Sequence, residues 1–156
     1  MSTVHLIRHA KAKNRLEWTD DDELRPLTKR GRREAAALAE RLGGEPPGRL
    51  VASPFLRCVQ TLEPLALAVG LPIETSGVLA EGADGEAAAE FLLSLAGEDP
   101  VACCTHGDVL FEVVRAIAAT GIALDGPLDA PVASSWTLEV EDGRVVDARF
   151  VAPPPR

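Results

Sequence analysis

The chain has 156 residues, 46% hydrophobic and 26% charged, which fits one globular domain with a real core and argues against a disordered or fibrous chain. Its formal net charge of −8 opposes binding to a nucleic-acid polymer, which draws affinity from clustered Lys and Arg. No apolar run approaches the roughly 20 residues of a bilayer span and the opening lacks a signal-peptide core, so a cytoplasmic protein without membrane contact is expected.

Taken in chain order, VHLI predicts a first strand that ends at Arg8 and His9. A basic loop with Lys11, Lys13 and Arg15 follows, and then the acidic run TDDDEL, expected to pair locally with that loop or with Arg25. Ala35, Leu38, Ala39 and Leu42 recur at helical spacing and predict a helix from about Lys29 to Leu42, stopped by Gly43 and Gly44. LVAS is a second strand, and FLRCVQTLEPLALAVG a second helical pattern. Pro64 falls inside that pattern and predicts a kink or a break into two segments, because proline removes a backbone donor and crowds the preceding turn. EAAAEFLLSLAG predicts a helix, VACCT a strand and DVLFEVVRAIAATG another helix. SSWTLEVEDGRVVDARFV reads as a C-terminal β-hairpin around Asp142 and Gly143, with PPPR beyond it as a disordered tail. This alternation predicts one mixed sheet flanked by helices, in a single α/β domain over residues 1–152 with a tail at 153–156.

Cys58, Cys103 and Cys104 do not form the spaced pairs of a disulfide framework or a zinc site. On a strand the adjacent Cys103 and Cys104 point to opposite faces, so both cannot ligate one metal, and they are read as small core residues. The sixth residues after the three cysteines are Pro64, Val109 and Leu110, so the Cys-x5-Arg loop of cysteine-based phosphatases is absent. No metal and no cofactor are expected.

Ligands of open α/β sheets gather at the carboxyl ends of strands. Arg8 and His9 lie at one such end, Arg57 just after Ser53-Pro54 at a second, and His106 in THG at a third. Four basic groups converging in an acidic protein predict an anion site, with phosphate as the natural occupant and helix N-termini after Pro54 and Gly107 as further donors. His5 lacks this context and is assigned no role. Taken alone, Arg57 would be read as a surface partner for Glu63.

These stretches, LIRHA with Arg8 and His9, SPFLRCVQT with Arg57 and CTHGDV with His106, resemble the histidine phosphatase superfamily, which also contains the cofactor-dependent phosphoglycerate mutases. RHAKA and DELRPLTKRGRREA look most like its SixA-type phosphohistidine phosphatases, and Ala10 stands where Gly often follows the Arg-His pair, a change that type shares. RCVQTLEPLA also resembles the phosphatase-like domain that follows a Nudix domain in some bacterial hydrolases.

The resemblance implies a three-layer α/β/α sandwich with a mostly parallel sheet. It also implies a metal-independent phosphatase in which His9 takes the phosphoryl group, Arg8 and Arg57 hold its oxygens, and His106 donates a hydrogen bond to them. His9 has to be neutral for this, and the neighbouring guanidiniums are expected to hold its pKa down. Glu81 is the implied proton donor to the leaving group, with Asp84 and Glu86 as competitors. Asn14 and Lys11 are candidate substrate contacts, and Lys13 and Arg15 could add charge for an acidic substrate. An open site follows, suited to phosphohistidine on a signalling protein or, as the alternative, to a small phosphorylated metabolite or nucleotide. A phosphate-binding adaptor without turnover is the reading from outside enzymology, and oligomeric state stays open.

Overall fold

A computed structural model describes residues 1–155. These residues form six strands, β1 (Ser2–Arg8), β2 (Arg49–Ala52), β3 (Ile73–Thr75), β4 (Val101–Thr105), β5 (Ser135–Glu141) and β6 (Arg144–Val151). The helices are α1 (Lys29–Leu42), α2 (Leu56–Val69), α3 (Gly85–Leu95) and α4 (Gly107–Ala118). All six strands share one sheet in the order β3-β2-β4-β1-β5-β6. β3, β2, β4 and β1 are mutually parallel, while β5 runs antiparallel to β1 and pairs with β6 as the expected hairpin.

Alternation along the strands divides the interior in two. Ile7, Leu50, Ala52, Ala102 and Cys104 face α1 and α2, where they meet Leu38, Leu62 and Leu65. Leu6, Val51, Val101 and Cys103 face α3 and α4, where they meet Leu92, Leu110, Val113 and Val114. Cys103 and Cys104 therefore sit in different cores, both fully buried. All five residues of β4 are buried, as the middle of a sheet covered on both faces requires.

α1 has the expected bounds, and its start is held by Thr28, whose hydroxyl accepts the Gly31 amide at 3.0 Å. α2 differs from expectation: it runs unbroken from Leu56 to Val69 with Pro64 inside. The proline forfeits one ladder bond, while Cys58, Leu62 and Leu65 on the same helix are buried, and that packing outweighs a single missing donor. β3 has no sequence counterpart, because three residues at a sheet edge are too few to display a period. No helix among the described residues is long and apolar enough to cross a membrane. Of the expected tail, Arg156 lies outside the described residues.

Candidate active site

The carboxyl ends of β1, β2 and β4 open on one side of the sheet. β1 ends at Arg8, whose amide donates to Ser134 O at 3.0 Å, and the His9 amide donates to Thr105 O of β4 at 3.1 Å. Ala133 lies against this end with φ of 63°, and its amide is shared between the carbonyls of Arg8 and His9. Thr61 connects the same strand end to α2, accepting from the Ala10 amide at 3.0 Å and donating to Arg57 O at 2.7 Å. Strand end and helix start are thereby fixed to each other.

His9 is 8% exposed, and its Nδ1 lies 2.8 Å from Ala10 O. A carbonyl can only accept, so Nδ1 carries the proton and Nε2 of the neutral ring holds a lone pair. The pKa of His9 is lowered to about 3, by burial first, against the raising effect of the Ala10 carbonyl, and then by the proximity of His106 and of the Arg57 and Arg8 guanidiniums. Desolvation, more than the expected guanidiniums, keeps this ring neutral.

His106 caps α4 and packs edge to face on His9 with ring centroids 5.5 Å apart. Its Nε2 is 2.8 Å from Ser53 Oγ, and Ser53 Oγ in turn accepts from the Phe55 amide at 3.3 Å. The tautomer in which the Ser53 hydroxyl donates to Nε2 carries the His106 proton on Nδ1. That Nδ1 is buried and has no hydrogen-bond partner among the described residues.

Arg57 and Arg8 repeat the pattern. Arg57 is fully buried on the first turn of α2, and its Nη groups go to Asp22 and Glu81 rather than to Glu63. Arg8 Nη1 donates to Ala130 O. The Nε atoms of both are buried without a partner among the described residues. Buried polar groups are nearly always hydrogen-bonded, so two orphaned guanidinium N–H donors and an unpartnered ring nitrogen beside one neutral imidazole suit an anionic acceptor.

An open cleft of about 1180 Å³ is lined by Arg8, His9, Lys11, Asn14 and Glu81 among others, while the buried Arg57 and His106 are not part of its lining. Glu81 Oε1 accepts from Arg15 Nη2 at 2.8 Å and from Arg57 Nη2 at 3.4 Å. The competing carboxylates are placed differently: Asp84 caps α3 through the Ala87 amide, and Glu86 stands in the first turn of that helix. Asn14 reaches the cleft, but its Oδ1 accepts the Leu16 amide at 2.9 Å, as in a turn. Lys11, Lys13 and Arg15 line the same wall. His5 lies on β1 outside the cleft lining, with its Nδ1 3.4 Å from Thr137 Oγ1. Among the described residues no three His, Cys, Asp or Glu side chains gather as a metal site.

Sequence reasoning gives Ser53 and Asp22 no part in the site, although the expected pairing of the acidic run with Arg25 and the basic loop is seen at Asp22. Ser53 carries a signal in its spacing, four residues before Arg57 on the same strand-to-helix turn. Asp22 is one of three consecutive aspartates, and nothing local distinguishes it from Asp20 and Asp21.

A profile of the histidine phosphatase superfamily (branch 1) matches residues 4–88, more than half of the chain. The chain belongs to the histidine phosphatase superfamily. It is also 35% identical to an 8-oxo-(d)GTP phosphatase of Mycolicibacterium smegmatis over 97% of its own length and 48% of that protein's, so it spans about half of this curated relative. Its fold is similar to that of a SixA protein from Agrobacterium tumefaciens, with a TM-score of 0.75 and 22% identity over 97% of this chain and 99% of that one. The protein histidine phosphatase SixA complexed with tungstate gives 0.74 and 23% over 96% and 94%. At such identities the likeness speaks to the fold.

Proposed function

We propose that residues 1–152 act as a phosphatase domain that hydrolyses phosphohistidine in a cytoplasmic signalling protein through a covalent phosphohistidine on His9. The observation that carries this reading is the set of three buried, unpartnered nitrogens, Arg8 Nε, Arg57 Nε and His106 Nδ1, around a ring that stays neutral. In the first step the His9 Nε2 lone pair forms the N–P bond as the bond from phosphorus to the leaving nitrogen breaks. Water then attacks the same phosphorus, releasing phosphate and restoring the lone pair. The donors take up charge on the equatorial oxygens, and the two guanidiniums remain ionised at any working pH. No step calls on a metal.

The state of Glu81 favours a leaving group that needs little help. Its carboxylate serves as acceptor to Arg15 and Arg57, an arrangement that holds it in place on the cleft wall but leaves it poorly disposed as a proton donor. An imidazole leaving group makes the smaller demand.

A second reading, hydrolysis of a nucleotide or another small phosphorylated metabolite, is favoured by the 8-oxo-(d)GTP phosphatase relative and by Lys11 and Lys13 on the cleft wall. Single-turnover transfer from a labelled phosphohistidine protein and from a nucleotide, with wild type and His9→Ala, separates the two. Acid-labile labelling that requires His9 supports the mechanism, and the faster donor selects the substrate. Phosphate binding with no labelling from either donor overturns both in favour of a binding adaptor.

A further inference from the structure

The guanidinium of Arg57 has two hydrogen-bonding edges, an end edge of Nη1 and Nη2 and a side edge of Nε and Nη2. Asp22 straddles the end edge: its backbone carbonyl accepts from Nη1 at 2.9 Å and its Oδ2 from Nη2 at 3.0 Å. The side edge holds the buried, unpartnered Nε, and its Nη2 is shared with Glu81 at the longer distance of 3.4 Å. Asp22 is itself held. Its Oδ1 accepts from the buried Arg25 Nε at 2.8 Å and lies 3.9 Å from Arg15 Nε. Burial pushes the Asp22 carboxyl up, but hydrogen bonds from Arg25 and Arg57 outweigh it and hold the group below the usual carboxylate range.

We infer that Asp22 is a positioning residue that fixes the end edge of Arg57 and so turns the side edge, Nε with Nη2, toward the transferred phosphoryl group. This rests on the proposed role of Arg57 as a phosphoryl ligand. An arginine gripped by one edge offers the other as a pre-aimed bidentate donor, without the cost of ordering a free side chain when the anion arrives. The weaker Glu81 contact lies on the edge that the anion needs and yields to it. The acidic run thus does more than shape the entrance.

The test is a double-mutant cycle on the full chain with Asp22→Asn, Arg57→Ala and the double variant, reading orthovanadate affinity and, in parallel, kcat and KM for p-nitrophenyl phosphate. Asp22→Asn is expected to weaken vanadate binding about tenfold and to lower kcat more than it raises KM, because a misdirected guanidinium loses more in the transition state. In the Arg57→Ala background the same change is expected to alter vanadate affinity less than about twofold. An equal loss in both backgrounds, or no loss in either, overturns the inference. Failure of Arg57→Ala itself to weaken vanadate would instead remove the underlying reading of the site. If Asp22→Asn does not fold, Asp22→Glu, which keeps the charge but displaces it, carries the same cycle.

Discussion

The guanidinium of Arg8 lies so close over Gly107 that a Cβ there would stand 2.8 Å from Cζ and 3.0 Å from Nε. The first residue of α4 is glycine because an arginine from β1 occupies the space of its side chain. Gly107→Ala is expected to displace Arg8 and weaken orthovanadate binding about tenfold, the loss of one charge-assisted contact. Alanine suits a helix, so Tm should hold or rise. Wild-type affinity in this variant would show that the anion does not use Arg8.

The buried neutral state of His9 has a signature in stability. With a pKa near 3 when folded and the ordinary 6.5 when unfolded, the unfolded chain binds the extra proton below about pH 6.5. Stability is therefore full above that value and falls as pH drops toward 3, at about 1.4 kcal/mol per pH unit. Between pH 7.5 and 5 this amounts to about 2 kcal/mol that His9→Gln should not lose. Urea unfolding of both proteins at the two pH values checks it, and parallel losses would mean that His9 is not neutral by burial. Activity that depends on the His9 lone pair should show no acid limb near pH 6.5 from this group.

Ser53→Ala removes the hydroxyl that lies 2.8 Å from His106 Nε2 and, by donating to it, favours the Nδ1–H tautomer. The proton is then free to move to Nε2, and the donor at Nδ1 is lost for part of the population. A fall in kcat of roughly tenfold is expected, with His106 nitrogen chemical shifts showing the change of tautomer. Unchanged shifts would mean that the ring is held by its packing on Phe55, 4.8 Å between centroids, rather than by Ser53.

Pro64→Ala restores an amide to the middle of α2, 14 residues long, at a half-buried position away from the cleft. An increase of about 1–2 kcal/mol in unfolding free energy is expected, less than the full helix-interior penalty of proline because some ring packing is lost. Urea midpoints measure it, and kinetic constants should stay at wild-type values. Destabilisation would show that the ring contributes more by packing than the helix loses.

The layered sheet is legible in the sequence because short apolar strands alternate with amphipathic runs, and α1 is legible because apolar residues recur at helical spacing and Gly43 and Gly44 stop it. The opposite placement of Cys103 and Cys104 follows from strand geometry alone. Arg8, His9, Arg57 and His106 can be located because strand ends are where such sheets bind ligands. What cannot be read locally is energetic balance between distant parts. The unbroken α2 depends on buried neighbours, the protonation state of His9 depends more on burial than on adjacent charge, and the partner of Arg57 is an aspartate 35 residues away rather than the nearby Glu63.

The segment between β1 and α1 is closed at its neck. Ala12 pairs with Leu27, the Lys13 amide donates to Pro26 O at 2.9 Å, and the Thr28 amide donates to Lys11 O at 2.9 Å. A loop fastened in this way can change in length and composition beyond the neck without disturbing the strand that carries His9. Exposed Leu16 and its immediate neighbours are thus replaceable parts, unlike Asp22, which reaches α2, and the buried Arg25 that holds it. This rim can diversify while the strand end beside His9 stays the same.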